Sequence, residues 1–237
     1  MFITGTDTDC GKTTISLGVM AALQQRNWHV LGMKPIASGC AVTPEGLRNA
    51  DALQLLAQSS HREPYTLVNP YAFAPPLAPH LAAAQLGETI DFARIIKAYR
   101  TLAATANIVI VEGVGGWRVP LTSTQFVSDL ALALKLPVIL VIGLKLGCIN
   151  HALLTVESIH ASGAHFIGWI GNQIDSNMLA LNANLTTLNE LIAAPCFGLV
   201  SWNTAIDASH IAAQLNIELL EQAALKMTFT NVITCSE

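Results

Sequence analysis

The chain begins MFITGTDTDCGKTT, and the turn GTDTDCGKT constrains what can follow it. An apolar start, a glycine-bounded loop and then Gly-Lys-Thr-Thr opening a helical pattern describe a strand, a phosphate-binding turn and a helix. The backbone N–H groups and dipole of such a helix end aim at one anion. The usual pattern, G-x-x-x-x-G-K, is one residue shorter than this one, in which five residues, Thr6 to Cys10, separate Gly5 from Gly11. Lys12 is placed to reach the β and γ phosphates of a nucleotide and the Thr13 hydroxyl to meet Mg2+, with Asp9, Cys10, Gly11 and Thr14 completing the cradle.

A phosphate loop of this kind needs a parallel sheet behind it, and the composition supplies one. Hydrophobic residues make up 52% of the 237 and charged residues 12%, about half the usual charged share of roughly 25%. The longest apolar run, PVILVIGL, is broken by Gly143 and followed by Lys145, well short of the ~18 residues that span a bilayer. Buried parallel strands account for the excess. β-Rich runs recur at Met1 to Thr4, Trp28 to Met33, Ile108 to Val111, Val138 to Ile142, Phe166 to Ile170 and Cys196 to Val200. Helical periods between them include Lys12 to Arg26, Ala50 to Ser59, Val127 to Leu134 and His151 to Ala161. Strands alternating with helices predict a single α/β domain, a doubly wound, mostly parallel sheet with helices on both faces, over residues 1–226. The segment VNPYAFAPPLAPH, Val68 to His80, is too rich in proline for a regular element and predicts an ordered loop over the sheet edge. Beyond Leu225 no helical period is visible, so residues 227–237 are expected to form a loosely held tail.

Charge and cysteine usage exclude several classes. A net charge of −4, with twelve Lys and Arg scattered singly, leaves no basic stripe for a nucleic acid, and no membrane partner is expected. MFITGTDTD lacks the basic start and apolar core of a signal peptide, and the five cysteines are odd in number and widely spaced; both fit a cytoplasmic chain in a reducing compartment. CINH, Cys148 to His151, is half a zinc site without a second ligand pair, and reads as structural.

In an open parallel sheet, ligands gather where the strands end. The run NIVIVEG ends in Glu112, a carboxylate across from Lys12 that suits Mg2+, against a plain solvated strand end. Gly113, Gly115 and Gly116 follow, letting backbone amides approach a ligand closely. Lys34, before Pro35, is either a second fixed cation over the phosphates or a surface lysine beside a turn. Asp51 opens the next helix, where capping and metal binding are compatible.

These residues lie within motifs that are similar to the dethiobiotin synthetase family. GTDTDCGKT carries that family's longer loop, and the resemblance continues in order through KPIASG, PEGLRNADA, VNPYAFAPPLAPH, VEGVGGW and KLGCINHALLT, covering Phe2 to about Asn172 and weakening thereafter. It implies closure of a cyclic urea from 7,8-diaminopelargonic acid, CO2 and MgATP in biotin synthesis, with ATP as co-substrate and Mg2+ as cofactor. One amine captures CO2 as a carbamate, whose oxygen attacks the γ phosphate; the second amine then displaces phosphate from the mixed anhydride. The resemblance further implies Thr13, Asp51 and Glu112 as metal ligands, Lys12, Lys34 and Thr8 at the reacting groups, and Ser38 beside the diamine. It implies Asn172 on the adenine amino edge, and Ser201, Trp202 and Asn203 along the base. In a homodimer with shared sites, Asn150 and the amides of Gly147 and Cys148 would reach the partner's substrate carboxylate, although Asn150 also reads as a helix N-cap. Two positions depart from the family: Asn184 stands where a tyrosine helps hold the carboxylate, and Ser201 where proline precedes Trp202. His80 reads as packing rather than chemistry.

Two other classes compete. Switch ATPases of partitioning share the sheet, but their loops carry a lysine where this chain has Thr6, and IELLEQAAL is too acidic for a basic membrane anchor. Related amide ligases lack KPIASG and PEGLRN.

Overall fold

All six β-rich runs become strands of one parallel sheet, and short pairings decorate its edge. The computed structural model describes residues 1–202 and 207–234. In chain order the elements are β1 (Phe2–Gly5), α1 (Lys12–Gln24), β2 (Val30–Met33), β3 (Ile36–Ala37), β4 (Ala41–Thr43), β5 (Gly46–Arg48), α2 (Ala50–Gln58), α3 (Tyr65–Val68), β6 (Tyr71–Ala72), α4 (Pro79–Gln85), α5 (Phe92–Ala103), β7 (Ile108–Glu112), α6 (Val127–Ala133), β8 (Val138–Leu144), α7 (Cys148–Ala161), β9 (Phe166–Gln173), α8 (Leu181–Leu191), β10 (Cys196–Val200), α9 (Ala208–Ala212) and α10 (Ile217–Thr234). The main sheet runs β10-β9-β8-β1-β7-β2, with every neighbouring pair parallel. The chain is therefore α/β, a six-stranded parallel sheet with helices on both faces and β1 lying inside it.

Side chains on a strand alternate between faces, and here both faces are covered. Phe2, Val109, Val111, Val138, Leu140 and Ile142 enter one core. Their sequence neighbours Ile3, Ile108, Ile110, Ile139 and Val141 enter the other. Because both alternating sets are apolar, the strands read as continuous hydrophobic runs, as buried parallel strands do. Helices α4 to α8 seal the first core; α1, α2, α9 and α10 seal the second. Close approach is needed between α1 and α9, where a Cβ on Gly18 would collide with the Ile211 side chain.

Three boundaries differ from the sequence reading. The proline-rich segment contains β6, which pairs with β3, and its second half begins α4 with Pro79 in the first turn, where proline needs no N–H partner. Helix α7 starts at Cys148 rather than His151 because Gly147, at φ 92°, takes the left-handed N-cap position. The backbone of α10 continues past Leu225 to Thr234. Among the described residues, no helix is long and apolar enough to cross a membrane.

Candidate active site

The loop after β1 closes tightly on itself. Gly11 adopts φ 89° as N-cap of α1, a conformation that costs glycine little and other residues much. Asp9 is also left-handed, at φ 57°. The side chain of Cys10 turns inward and is 1% exposed, packing where a Cβ on Gly5 would otherwise stand. Lys12, 7% exposed, donates from Nζ to the Asp7 carbonyl at 2.8 Å, so its ammonium is held at the loop's mouth.

Three elements bring opposite charges together beside that loop. Glu112, at the end of β7, is 1% exposed; its Oε1 accepts from Thr13 Oγ1 at 2.8 Å and from Lys34 Nζ. Lys34 follows β2, is 4% exposed, and also donates to Asp51 Oδ2 at 3.0 Å. Burial alone would lower the Lys34 pKa, but the charges and hydrogen bonds of Glu112 and Asp51 outweigh it and hold the ammonium above its ordinary value. The Lys34 side chain is therefore no surface lysine. Asp51 does not cap α2: Asn49 does, accepting from the Ala52 amide at 3.1 Å, which leaves the Asp51 carboxylate free for Lys34.

The sequence reading missed the support beneath Lys34. Asn69, 3% exposed, donates to the Lys34 carbonyl at 2.7 Å and to the Tyr71 carbonyl at 3.1 Å. Its Oδ1 accepts from the Tyr65 hydroxyl at 3.0 Å, and that hydroxyl accepts from the Asn49 amide at 2.8 Å. One chain of hydrogen bonds thus sets Lys34 against the start of α2, which carries Asp51. No motif announces it, because it runs through the proline-rich segment.

These groups open into a cleft of about 780 Å³. Of the expected site residues, Thr8, Asp9, Gly11, Lys12, Thr13, Thr14, Lys34, Ser38, Asp51, Glu112 and Gly115 line it, together with Pro76, Leu77, Ala78 and Pro79. The Ser38 hydroxyl and Glu112 Oε2 are buried and make no hydrogen bond among the described residues. Thr13, Asp51 and Glu112 form an all-oxygen donor set in which the buried Glu112 Oε2 is unpaired among the described residues, which fits a hard cation such as Mg2+. No group of three His, Cys, Asp or Glu gathers among the described residues, so such a cation would take its remaining ligands from water and phosphate.

Other expected residues lie around the cleft rather than in it. Gly113 is buried, its amide bonded to the Ile3 carbonyl at 2.9 Å, and Gly116 borders a neighbouring hollow of about 360 Å³ with Thr8 and Trp117. Asn172, at the end of β9, lies under the phosphate loop and donates to the Cys10 carbonyl at 3.0 Å. Ser201 and Trp202 follow β10, their amides held by Gln214 at 2.9 Å and Gln173 at 3.2 Å, and the Trp202 side chain is 49% exposed. Asn203 lies outside the described residues.

Residues Gly147, Cys148 and Asn150 stand apart from this chain's own cleft. Asn150 is exposed and belongs to the first turn of α7 rather than its cap. The preceding loop is tied to the phosphate loop by Lys145 and Asp7 at 3.8 Å, while Leu146, between Lys145 and Gly147, is 94% exposed. Cys148 points into the core. Asn184, within α8, spends its amide on the Ala180 carbonyl at 3.0 Å. His80 Nδ1 is buried without a hydrogen-bond partner among the described residues.

Comparison with known proteins adds identity to this geometry. Residues 1–210 match the family described as an AAA domain. The ATP-dependent dethiobiotin synthetase BioD of Xanthomonas oryzae pv. oryzae is 47% identical over 216 residues, 91% of this chain and 96% of that one. Its counterpart from Pseudomonas aeruginosa is 48% identical over 220 residues, covering 92% and 96%, and that from Cellvibrio japonicus 45% over 222 residues, covering 94% and 97%. Among solved structures, the MinD cell division protein of Aquifex aeolicus aligns with a TM-score of 0.58 at 14% identity, over 94% of this chain and 95% of that one. Cobyrinic acid a,c-diamide synthase from Mycobacterium smegmatis aligns at 0.50 and 15%, over 93% and 91%. Those two likenesses concern the fold.

Proposed function

The chain belongs to the dethiobiotin synthetase family, and from that premise we propose that its cleft joins a carbamate to the γ phosphate of MgATP before the ureido ring closes. It is an ATP-dependent dethiobiotin synthetase, a ligase of biotin biosynthesis. The observation that carries the mechanistic reading is the convergence of Lys34 with Glu112, Asp51 and Thr13 at the mouth of the phosphate loop.

The chemical difficulty is that two anions must meet. Unit charges of like sign about 4 Å apart repel by roughly 4 kcal/mol at an effective dielectric of about 20. Lys12 holds the phosphates from the loop side and Lys34 faces the carbamate from the end of β2, so the developing charge lies between two fixed ammonium groups. Mg2+ bound through Thr13, Asp51 and Glu112 would supply further charge neutralisation. Thr8 lies on the lip of the cleft, and the unpaired Ser38 hydroxyl is available to the diamine. The carbamate oxygen attacks the γ phosphorus and ADP leaves; the second amine then attacks the carbamoyl carbon and phosphate leaves.

In this reading Asn172 meets the adenine amino edge, Ser201 and Trp202 lie along the base, and Gly115 and Gly116 cradle nucleotide or substrate, whereas the Gly113 amide is spent on the Ile3 carbonyl. Gly147, Cys148 and Asn150 complete the site of a second copy, which fits their position away from this chain's own cleft. Such an enzyme works in the cytoplasm, where the free thiols of Cys10, Cys40, Cys148 and Cys196 persist.

Phosphate release from MgATP is the direct assay. It should require both 7,8-diaminopelargonic acid and dissolved CO2. Comparable turnover without the diamine would overturn the carbamate route.

A further inference from the structure

The phosphate loop has one residue more than the usual pattern, and the structure shows what pins its last residue before Gly11. Cys10 is the last residue before Gly11, and strand ends surround it. Its thiol occupies the space above Gly5 at the end of β1. Its Cα and Cβ stand about where a Cβ on Gly143 of β8 would press, at 3.1 and 3.0 Å. Its carbonyl accepts from Asn172 Nδ2 of β9 at 3.0 Å, in a buried hydrogen bond. Gly11 passes so close over the same amide that any Cβ there would collide with Asn172 Nδ2. A carbonyl only accepts, so the amide must present its nitrogen to the loop.

An added loop residue brings backbone freedom that has to be removed before N–H groups can converge on an anion. Of the three anchors, the glycines give only room, while Asn172 supplies a directed bond to the peptide adjoining Gly11. We infer that Asn172 is a positioning residue for phosphate binding, holding the lengthened loop in its anion-binding shape independently of any contact with the base. The inference rests on the nucleotide reading above and extends it: recognition at the end of β9 and the shape of the phosphate cradle are mechanically one unit.

A ligand without a base separates the two roles. Binding of magnesium tripolyphosphate and of MgATP is measured by calorimetry on the full chain, wild type against Asn172→Ala and Asn172→Ser; neither side chain reaches the Cys10 carbonyl. Loop positioning predicts that tripolyphosphate binding weakens about tenfold in both variants, equivalent to about 1.4 kcal/mol, within the range of one buried hydrogen bond. ATP should weaken at least as much. Loss of ATP affinity with unchanged tripolyphosphate affinity overturns the inference in favour of base contact alone. Unchanged affinity for both ligands also overturns it, and so does failure of both variants to fold, since the role would then be general stability. Wild-type turnover with diamine and CO2 is scored separately, so a failed ligase assay is not confused with a failed loop test.

Discussion

Lys34 is gripped by the same two carboxylates that would hold a metal ion, so its removal is felt twice. Lys34→Ala should lower kcat by about 10² to 10³ while changing KM for ATP little, because stabilisation of developing charge belongs to the transition state. In metal-free protein, Lys34→Met leaves Glu112 buried beside Asp51, and melting should show a loss of about 3 kcal/mol. The pH dependence has a definite sign. The folded pKa of Lys34 is raised above its ordinary 10.5, so its contribution is fully present below that pH and is lost as pH rises through the folded value. The gap between wild type and Lys34→Met should be flat from about pH 7 to 10 and shrink only above; a gap that closes near neutrality contradicts the pairing. Asp51→Asn and Glu112→Gln should each raise the Mg2+ needed for half-maximal activity, with rescue at higher metal. Variants that melt at lower temperature but keep the ordinary metal dependence would make these carboxylates structural. Lys34, Asp51 and Glu112 were legible in the sequence because strand ends and helix starts are visible as patterns. Asn69 was not, since its value lies in a carbonyl and a tyrosine that only the folded chain brings near.

The strands were the most readable elements, for a physical reason. Both faces of β7 and β8 are buried, so every residue short of Glu112 at the end of β7 is apolar, and the runs stood out. Short elements such as α3, β3 and β6 were unreadable because tertiary pairing, not local propensity, makes them. Helix α1 carries a test of close packing. Alanine normally improves a helix over glycine by about 1 kcal/mol, yet Gly18 lies against Ile211 of α9. Overpacking of this sort costs about 1–3 kcal/mol, so Gly18→Ala should lower Tm by a few degrees despite its better propensity. Ile211→Ala in the same chain should recover part of the loss, a coupling that a double-mutant cycle reads directly; a higher Tm for the single variant would mean the helices separate freely.

Two copies are needed for the complete site in the reading given above, and mixing experiments decide it. Lys34→Ala and Asn150→Ala proteins, each impaired alone, are allowed to exchange subunits. Random exchange makes about half of the dimers hybrid, with one intact site of two, so activity should recover to about one quarter of wild type. No recovery after verified exchange would confine the site to one chain and remove the role of Asn150. The loop between β8 and α7 bears on this in another way. Its start is tethered to the phosphate loop through Lys145 and Asp7, and its end is fixed by the left-handed Gly147, which leaves Leu146 held out at 94% exposure. In the two-copy reading, a leucine displayed this way would lose hydration as a second copy covered it. Catalysis and self-association would in that reading share one thermodynamic variable: specific activity should fall on dilution below the dimer dissociation constant, and the enzyme's output in a cell would scale more steeply than linearly with its own abundance.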